Sequence, residues 1–389
     1  MARGSIRKHD GAWGFRIDLS PDPATGKRRQ VSKQGFTTKR DAEAALRELA
    51  QSVDKGTLAK RSMRTLGDYL DEWHELQEDR LRATTWHSYA IAIDRIKRRL
   101  GQSKLQALEP LELERFYAYL LAEGGRFGKG LSPKTVRNTH TVLRKALSDA
   151  ERLGLVGRNA AASARAPSDD RTEYQTWSSD ELRTFLDVAR DDRLFAAFVL
   201  LMTTGMRRGE VLGLRWFDVD FDDNSLSVAN TWTTTAKGHR VSGPPKTLKS
   251  RRQLYLDPAT VDALRSHRAR QNEERLAAGP AWDTDCTYVF TDELGGRFDP
   301  ETFSKLFRRY AAQADLPEIR LHDLRHSYAT LALKAGIHPK VVSEQLGPAT
   351  VGITLDLYSH VTPSIARDAA NVVASRILDV PIAGSEPAQ

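Results

Sequence analysis

Four short stretches in the second half of the chain gather residues able to hold an anion and move a proton. In TTGMRRGEVLGLRWFDV, residues 203–219, an apolar helix ends at Thr-Gly and a second begins with Arg-Arg-Gly-Glu. Arg207 and Glu210 are three apart, on one helical face. A guanidinium held there by a carboxylate, beside a Gly turn, can meet a phosphate bidentately, although such a pair taken alone is more often structural. In TWTTTAKGHRVSGPPKTLKSRRQLYL, residues 231–256, alternation and Gly/Pro turns suggest a hairpin with Lys246 near its middle. A lysine there is suited to protonate a leaving oxygen, and it is also the commonest kind of exposed residue. In LHDLRHSYAT, residues 321–330, His322 and Arg325 are three apart on a helical face that can bind an anion; a lone His is more often a satisfied structural residue. The stretch EQLGPATVGITLDLYSHV, 344–361, carries Tyr358 with no base beside it in sequence. A phenol with a pKa of about 10 needs help to attack at neutral pH. Ten residues earlier stands Pro348, which has neither a donating side chain nor a backbone N–H.

The elements that would position these residues form three blocks. In residues 1–55, GSIRKH and AWGFRIDL read as strands joined by Asp-Gly, a hairpin signal. RRQVSKQGF reads as a third strand, and TTKRDAEAALRELAQSV as a helix with a Thr start. Arg7, Arg16, Arg28 and Lys33 fall on the strands, and a basic sheet of this kind can lie in a DNA major groove; a solvated strand face is the plainer alternative. After a basic linker, residues 64–156 read as helices throughout. Leu66, Tyr69, Leu70, Trp73 and Leu76 share one face, and Trp86, Tyr89, Ile93 and Ile96 another. The last helix opens at Ser-Pro and carries Lys134, Arg137, Asn138 and Arg144, a face that is either solvated or in contact with nucleic acid. A second linker, rich in Ala, Ser and Pro, precedes a block over 172–380 that mixes helices with a strand-rich middle at 216–256. Residues 381–389 read as a disordered tail.

Composition agrees with a soluble multidomain protein. The chain has 389 residues, 59 Lys+Arg and 51 Asp+Glu, a formal charge of +8, and 40% hydrophobic residues. That suits two or three packed domains rather than a disordered chain. Residues 1–60 carry a net +6, residues 61–165 another +6, and the remainder a net −4. The basic character therefore lies in the first two blocks, where it attracts polyanions, chiefly nucleic acid. The single cysteine, Cys286, excludes an intramolecular disulfide framework and a cysteine-based zinc site, and fits a reducing compartment. With no apolar leader and no run long enough to span a membrane, the expectation is a cytoplasmic protein without a membrane partner.

Taken together, Arg207 with Glu210, Lys246, His322 with Arg325, Leu346-Gly347 and Tyr358 closely resemble the pattern of the tyrosine recombinase (phage integrase) family. The resemblance covers roughly half the chain, with order and spacing in agreement across about 150 residues, and TLDLYSHV is similar to the family's sequence around its nucleophile. The resemblance implies a mixed α/β, mostly helical catalytic domain, an all-α core-site-binding domain, and a small three-stranded sheet plus helix like the arm-site DNA-binding domain of phage and conjugative-element integrases. It implies that Tyr358 attacks the scissile phosphate to form a 3′-phosphotyrosyl link. Arg207 and Arg325 would neutralise the non-bridging oxygens, and Lys246 would protonate the departing 5′-oxygen. His322 would assist Tyr358 or bind the phosphate, and Glu210 would orient Arg207 or the neighbouring base. Neither a metal nor any other cofactor is implied, since the arginines supply the charge and the phosphotyrosine conserves the bond energy. The implied partners are double-stranded DNA attachment sites, a homotetramer on DNA, and, as accessory factors, an excisionase and a DNA-bending host protein. The C-terminal helix over 363–378 would pack on a neighbouring protomer or on its own domain.

One position departs from the pattern. Where the family most often has His, or sometimes Trp, after Leu-Gly, this chain has Pro348. Loss of one phosphate-oxygen donor can cost about 10²–10³ in rate. Three readings follow: the remaining Arg207, Arg325, His322 and Lys246 suffice; a nearby group such as His326 or His360 substitutes; or the protein is a slow recombinase. The alternatives of another class are a catalytically impaired recombinase-like DNA-binding protein and a type IB topoisomerase-like nicking-closing enzyme.

Overall fold

A computed structural model describes residues 4–19, 26, 28–54, 62–168, 175–234, 240–243, 252–283, 285, 287–347 and 377. Lys246, Pro348, Tyr358, His360 and Cys286 lie outside the described residues, as do the expected C-terminal helix apart from Ile377 and the expected tail at 381–389. The chain divides into two compact units, residues 1–171 and 172–389. No helix of the described residues is long and apolar enough to cross a membrane.

The first unit opens with an antiparallel sheet in the order β1 (Gly4–His9), β2 (Ala12–Leu19), β3 (Arg29–Phe36), followed by α1 (Lys39–Asp54). Asp10 and Gly11 join β1 to β2 with φ of 47° and 81°. Two left-handed residues make the twist of this turn match that of the strands, which is why Asp-Gly is a hairpin signal. Phe15 and Ile17 of β2 are buried with Ala42 of α1. Arg16, between them, must point to the opposite, open face.

The register separates the four basic residues read as strand residues. Arg7 lies opposite Gly14, and Arg16 opposite Ser5 and Ser32, so both stand on the open face. Lys33 lies opposite Phe15, in register with Val31 opposite Ile17, so it stands on the helix-covered side; the bulge between Trp13 and Phe15 comes only after it. Its Nζ sits 5.5 Å from the Phe36 ring. Arg28 precedes β3, and its guanidinium makes a two-pronged pair with Asp18, at 3.1 and 2.9 Å.

The remainder of the first unit is helical: α2 (Leu66–Glu75), α3 (Ala83–Leu100), α4 (Pro110–Glu123), α5 (Pro133–Arg152) and the single turn α6 (Ala160–Ser163). Leu66, Tyr69, Leu70 and Trp73 of α2 meet Ile93 and Ile96 of α3 in one core. Leu76 follows α2 as its C-cap and is exposed, so the apolar stripe ends one turn earlier than its spacing suggests. Trp86 clamps α3 to α2: its Nε1 donates to the His74 carbonyl at 3.0 Å and its ring stacks on His74 at 4.4 Å. Ser132 caps α5 by accepting from Thr135 N–H, with Pro133 in the first turn. Asn159 caps α6 and donates to the Arg144 carbonyl and to Ser148 Oγ, which fixes the last turns of α5.

The second unit packs α7 (Ser179–Ala189), α8 (Phe195–Thr204), α9 (Arg208–Leu212), α10 (Pro258–Ala278), α11 (Pro300–Gln313), α12 (Asp323–Lys334) and α13 (Pro339–Leu346) around short strands. β4 (Val219–Asp220), β5 (Ser225–Val228) and β8 (Arg252–Tyr255) form one antiparallel sheet, and β6 (Thr231–Thr234) pairs with β7 (Arg240–Gly243) in another. The stretch read as one hairpin over 231–256 is thus split: the hairpin is β6–β7, and β8 returns to β5. α8 is apolar all round because it runs through the core; Phe198 stacks on Phe303 of α11 at 4.9 Å. Trp177 anchors the start of the unit, its backbone N–H donating to Ser327 Oγ at 2.9 Å and its Nε1 to the Pro317 carbonyl at 3.0 Å.

Candidate active site

The site is assembled where α8 ends. Gly205 closes that helix at φ 64°, and a Cβ there would lie 2.6 Å from both Leu346 Cδ2 and Tyr328 Cδ1. Only glycine satisfies the backbone and the space together. Arg207 is then the N-cap of α9, and Glu210 its third residue. The pair is set by capping geometry, not by a shared helical face. Glu210 Oε2 accepts from the Arg207 backbone N–H at 2.9 Å, and Oε1 from Arg207 Nη1 at 2.8 Å.

Arg252, on β8, completes the carboxylate's partners. Its Nη1 donates to Oε1 at 3.2 Å and its Nη2 to Oε2 at 2.8 Å, while its Nε donates to the Gln345 carbonyl. Burial alone would raise the Glu210 pKa; the Arg252 hydrogen bonds and charge, then Arg207, outweigh it and hold the carboxyl at about 2. Sequence reasoning passed over Arg252. The signal was present: in RRQLYL, Arg252 alternates with Leu254 and Leu256 and so shares their inward face, and a charge on an apolar strand face needs a partner.

Arg325 is 2% exposed in the first turn of α12. Its Nη1 donates to the Gly205 carbonyl at 2.6 Å and its Nη2 to the Leu346 carbonyl, so one guanidinium ties the end of α8 to the end of α13. Arg252 and Arg325 thus hold the consecutive carbonyls of Gln345 and Leu346, two of those that a helix C-terminus leaves without intrahelical partners. Burial, then the Arg207 charge, pushes the Arg325 guanidinium down to about 9. Three arginines around one carboxylate leave an excess of positive charge, which an anion would relieve.

His322 is the N-cap of α12, not part of a helical face with Arg325. It is solvent-accessible, its ring 5.4 Å from that of buried His326 in an edge-to-face contact. Loss of water on its inner side, then the neighbouring His326, Arg325 and Arg207, pushes it down to about 4, so it is neutral at physiological pH. His326 is lowered as well, by burial first. Gly347, at φ 86°, brings the backbone that precedes Pro348 against the arginines; a Cβ built on it would lie 3.5 Å from Arg252 Nη1 and 3.8 Å from Arg207 Nη1. Arg207, Glu210, His322 and Arg325 are therefore gathered, and Lys246, Pro348 and Tyr358 lie outside the described residues.

On the first unit, Lys134, Arg137, Asn138 and Arg144 are all exposed along α5, with Lys145 beside them. Val136, Leu143 and Leu147 fill the opposite side of the helix, so the basic stripe follows directly from the helical period.

Residues 176–364 match the phage integrase family, residues 5–53 an arm DNA-binding domain, and residues 65–121 the N-terminal SAM-like domain of phage integrases. The chain is 30% identical to a tyrosine recombinase XerC-like protein of Caldanaerobacter subterraneus, over 86% of this chain and 89% of that protein. The chain belongs to the tyrosine recombinase family. The ICEBs1 integrase of Bacillus subtilis is 29% identical over 69% of this chain and 72% of its own length. The Tn1549 transposon integrase, solved with transposon right end DNA, has the same fold, with a TM-score of 0.68 at 20% identity over 80% of this chain and 99% of that one. The protein is accordingly a site-specific integrase, an enzyme that cleaves and rejoins DNA through a tyrosine nucleophile.

Proposed function

We propose that this recombinase integrates a phage or integrative element, and with accessory factors excises it, with Tyr358 as nucleophile and Arg207 and Arg325 as the phosphate-binding pair. The observation that carries the assignment is the charge arrangement around Glu210. Among the described residues, Arg207 spends one amine on the carboxylate and its Nε and Nη2 on nothing, with its side chain 29% exposed. That leaves a guanidinium edge for the non-bridging oxygens of a phosphodiester. Tyr358 Oη would attack phosphorus; the bond from phosphorus to the 5′-oxygen breaks, and that oxygen takes a proton from Lys246. Arg207 and Arg325 stabilise the charge that builds on the pentacoordinate phosphorus. Neutral His322 can accept the phenol proton or hydrogen-bond the phosphate. The second reaction, attack of a 5′-hydroxyl on the phosphotyrosine, rejoins the strands without an external energy source.

The arm sheet, through Arg7 and Arg16, and α5, through Lys134, Arg137 and Arg144, would engage separate parts of double-stranded attachment sites. Four protomers would exchange strands in pairs, in the cytoplasm where the DNA is. The domain bounds proposed are 1–55 for arm binding, 64–156 for core-site binding and 172–380 for catalysis.

The test is a nicked suicide substrate carrying the attachment core. A denaturation-resistant adduct formed by the wild type and lost in Tyr358→Phe supports the reading. An adduct that becomes abundant only in Pro348→His assigns the slow rate to the missing donor. Specific binding with no adduct in any variant replaces the recombinase with a DNA-binding scaffold, and relaxation without exchange replaces it with a nicking-closing enzyme.

A further inference from the structure

Glu210 has about four lone-pair directions, and four donors fill them: the backbone N–H and Nη1 of Arg207, and Nη1 and Nη2 of Arg252. The two arginines do not share it evenly. Arg252 takes the fork-to-fork arrangement that carboxylates prefer, whereas Arg207 has a single side-chain bond. Exposure follows the same division, 8% for the Arg252 side chain against 29% for that of Arg207. Resting on the reading of Arg207 as a phosphate ligand, we propose that Arg252 is a positioning residue for strand cleavage. It occupies the inner edge of Glu210, so that Arg207 stays singly held with its outer edge toward the phosphate. It also fixes the Gln345 carbonyl at the end of the helix that leads toward Pro348 and Tyr358.

The consequence of removing it is specific. With Arg252 gone, two buried lone pairs of Glu210 lose their donors, and the nearest group able to fill them is the Arg207 guanidinium. Arg207 would then turn inward into the fork arrangement, and Glu210 would neutralise the group that must meet the phosphate. A residue that merely stabilised the fold would not act in this way. The distinction appears in a double variant, because Glu210→Gln removes the charge that draws Arg207 inward.

The experiment measures three quantities for wild type, Arg252→Gln, Arg252→Lys, and each Arg252 variant combined with Glu210→Gln. They are the single-turnover rate of adduct formation on the suicide substrate at saturating protein, the Kd for the same DNA, and the melting temperature. Arg252→Gln is expected to slow adduct formation about 10²-fold while Kd changes less than about threefold. Adding Glu210→Gln is expected to restore at least about tenfold of that loss. Arg252→Lys keeps the charge without the fork and should fall between. If Arg252→Gln melts below the assay temperature, the comparison runs between Arg252→Lys and Arg252→Lys/Glu210→Gln. A cleavage rate within about threefold of wild type in the folded Arg252 variants overturns the proposal. So does a double variant no faster than its single parent. A wild type that forms no adduct sinks the recombinase reading itself, which is a different outcome.

Discussion

Lys134, Arg137 and Arg144 stand in water on the outer side of α5, whereas Arg325 is 2% exposed and the Arg252 side chain 8%, around one carboxylate. Both regions are cationic and both suit a phosphate backbone, yet their charges cost the fold very different amounts. An exposed lysine keeps its hydration, contributes little to stability, and is screened by salt. A buried guanidinium must recover its lost hydration from fixed acceptors, here the carbonyls of Gly205, Gln345 and Leu346 and the carboxylate of Glu210. The first arrangement suits a long polyanion bound by many replaceable contacts. The second suits charge that appears only in a transition state, where preorganised groups in a poorly solvated site act most strongly.

The largest effect expected from this contrast belongs to Arg325→Ala. The change leaves the Gly205 and Leu346 carbonyls without their donor and removes a charge beside Arg207. Each unpaired buried group costs about 1–3 kcal/mol, so chemical denaturation should show a loss of about 3–5 kcal/mol. Adduct formation should drop by more than about 10³. A variant within about 1 kcal/mol of wild type would mean that Arg325 does not tie α8 to α13.

A somewhat smaller effect belongs to Glu210. Its folded pKa of about 2 lies below its ordinary value, so the unfolded state binds the proton more readily. The stabilisation is present above the ordinary glutamate range near 4.5 and is lost as pH falls from there through about 2. At about 1.4 kcal/mol per pKa unit it amounts to about 3 kcal/mol. His322 and His326 add in the same direction over a higher window, because each is lowered in the fold and the unfolded chain takes up protons below the ordinary value of 6.5. Melting temperature followed from pH 7 to pH 3 should therefore fall in two stages. Glu210→Gln should shrink the lower stage, to which other lowered carboxylates such as Asp257 and Asp323 also contribute, and keep the upper. A lower stage of the same size in the variant would show that the Glu210 carboxylate is not held as described.

What the sequence made legible follows the same division. The α5 stripe needed only the helical period, and the Asp-Gly turn only the φ values that those residues permit. In the catalytic unit, the identities of Arg207, Glu210, His322 and Arg325 came from their spacing and the family they resemble. Their arrangement did not. The i, i+3 spacing suggested helical faces, but Arg207 and His322 are N-caps, because each chain segment turns into its helix at that residue. Arg252 escaped notice because its partner is 42 residues away, and a non-local pair leaves only an indirect trace, an arginine alternating with leucines. The faces of the arm sheet left a similarly indirect trace: Arg16 and Lys33 both read as strand residues, but only the pairing of Lys33 with Phe15 and of Arg16 with Ser32 shows that they stand on opposite sides.

The smallest effect expected lies on α5, and it separates two kinds of DNA contact. Arg137 is exposed and its helix is held by buried residues on the other side, so Arg137→Ala should leave stability within about 0.5 kcal/mol of wild type. If Arg137 meets a phosphate, core-site binding should weaken equally on matched and mismatched duplexes. The slope of log K against log salt should then become shallower by about 0.9, one released counterion. If it reads a base edge, discrimination at one position should fall by about 1–3 kcal/mol with the slope little changed. Titrations at several salt concentrations on the two duplexes distinguish these outcomes. An unchanged slope together with unchanged discrimination would remove Arg137 from the interface and leave the α5 stripe as a solvated face. The exposed cations would then need another partner, while the buried centre around Glu210 would be unaffected, since no part of its geometry depends on α5.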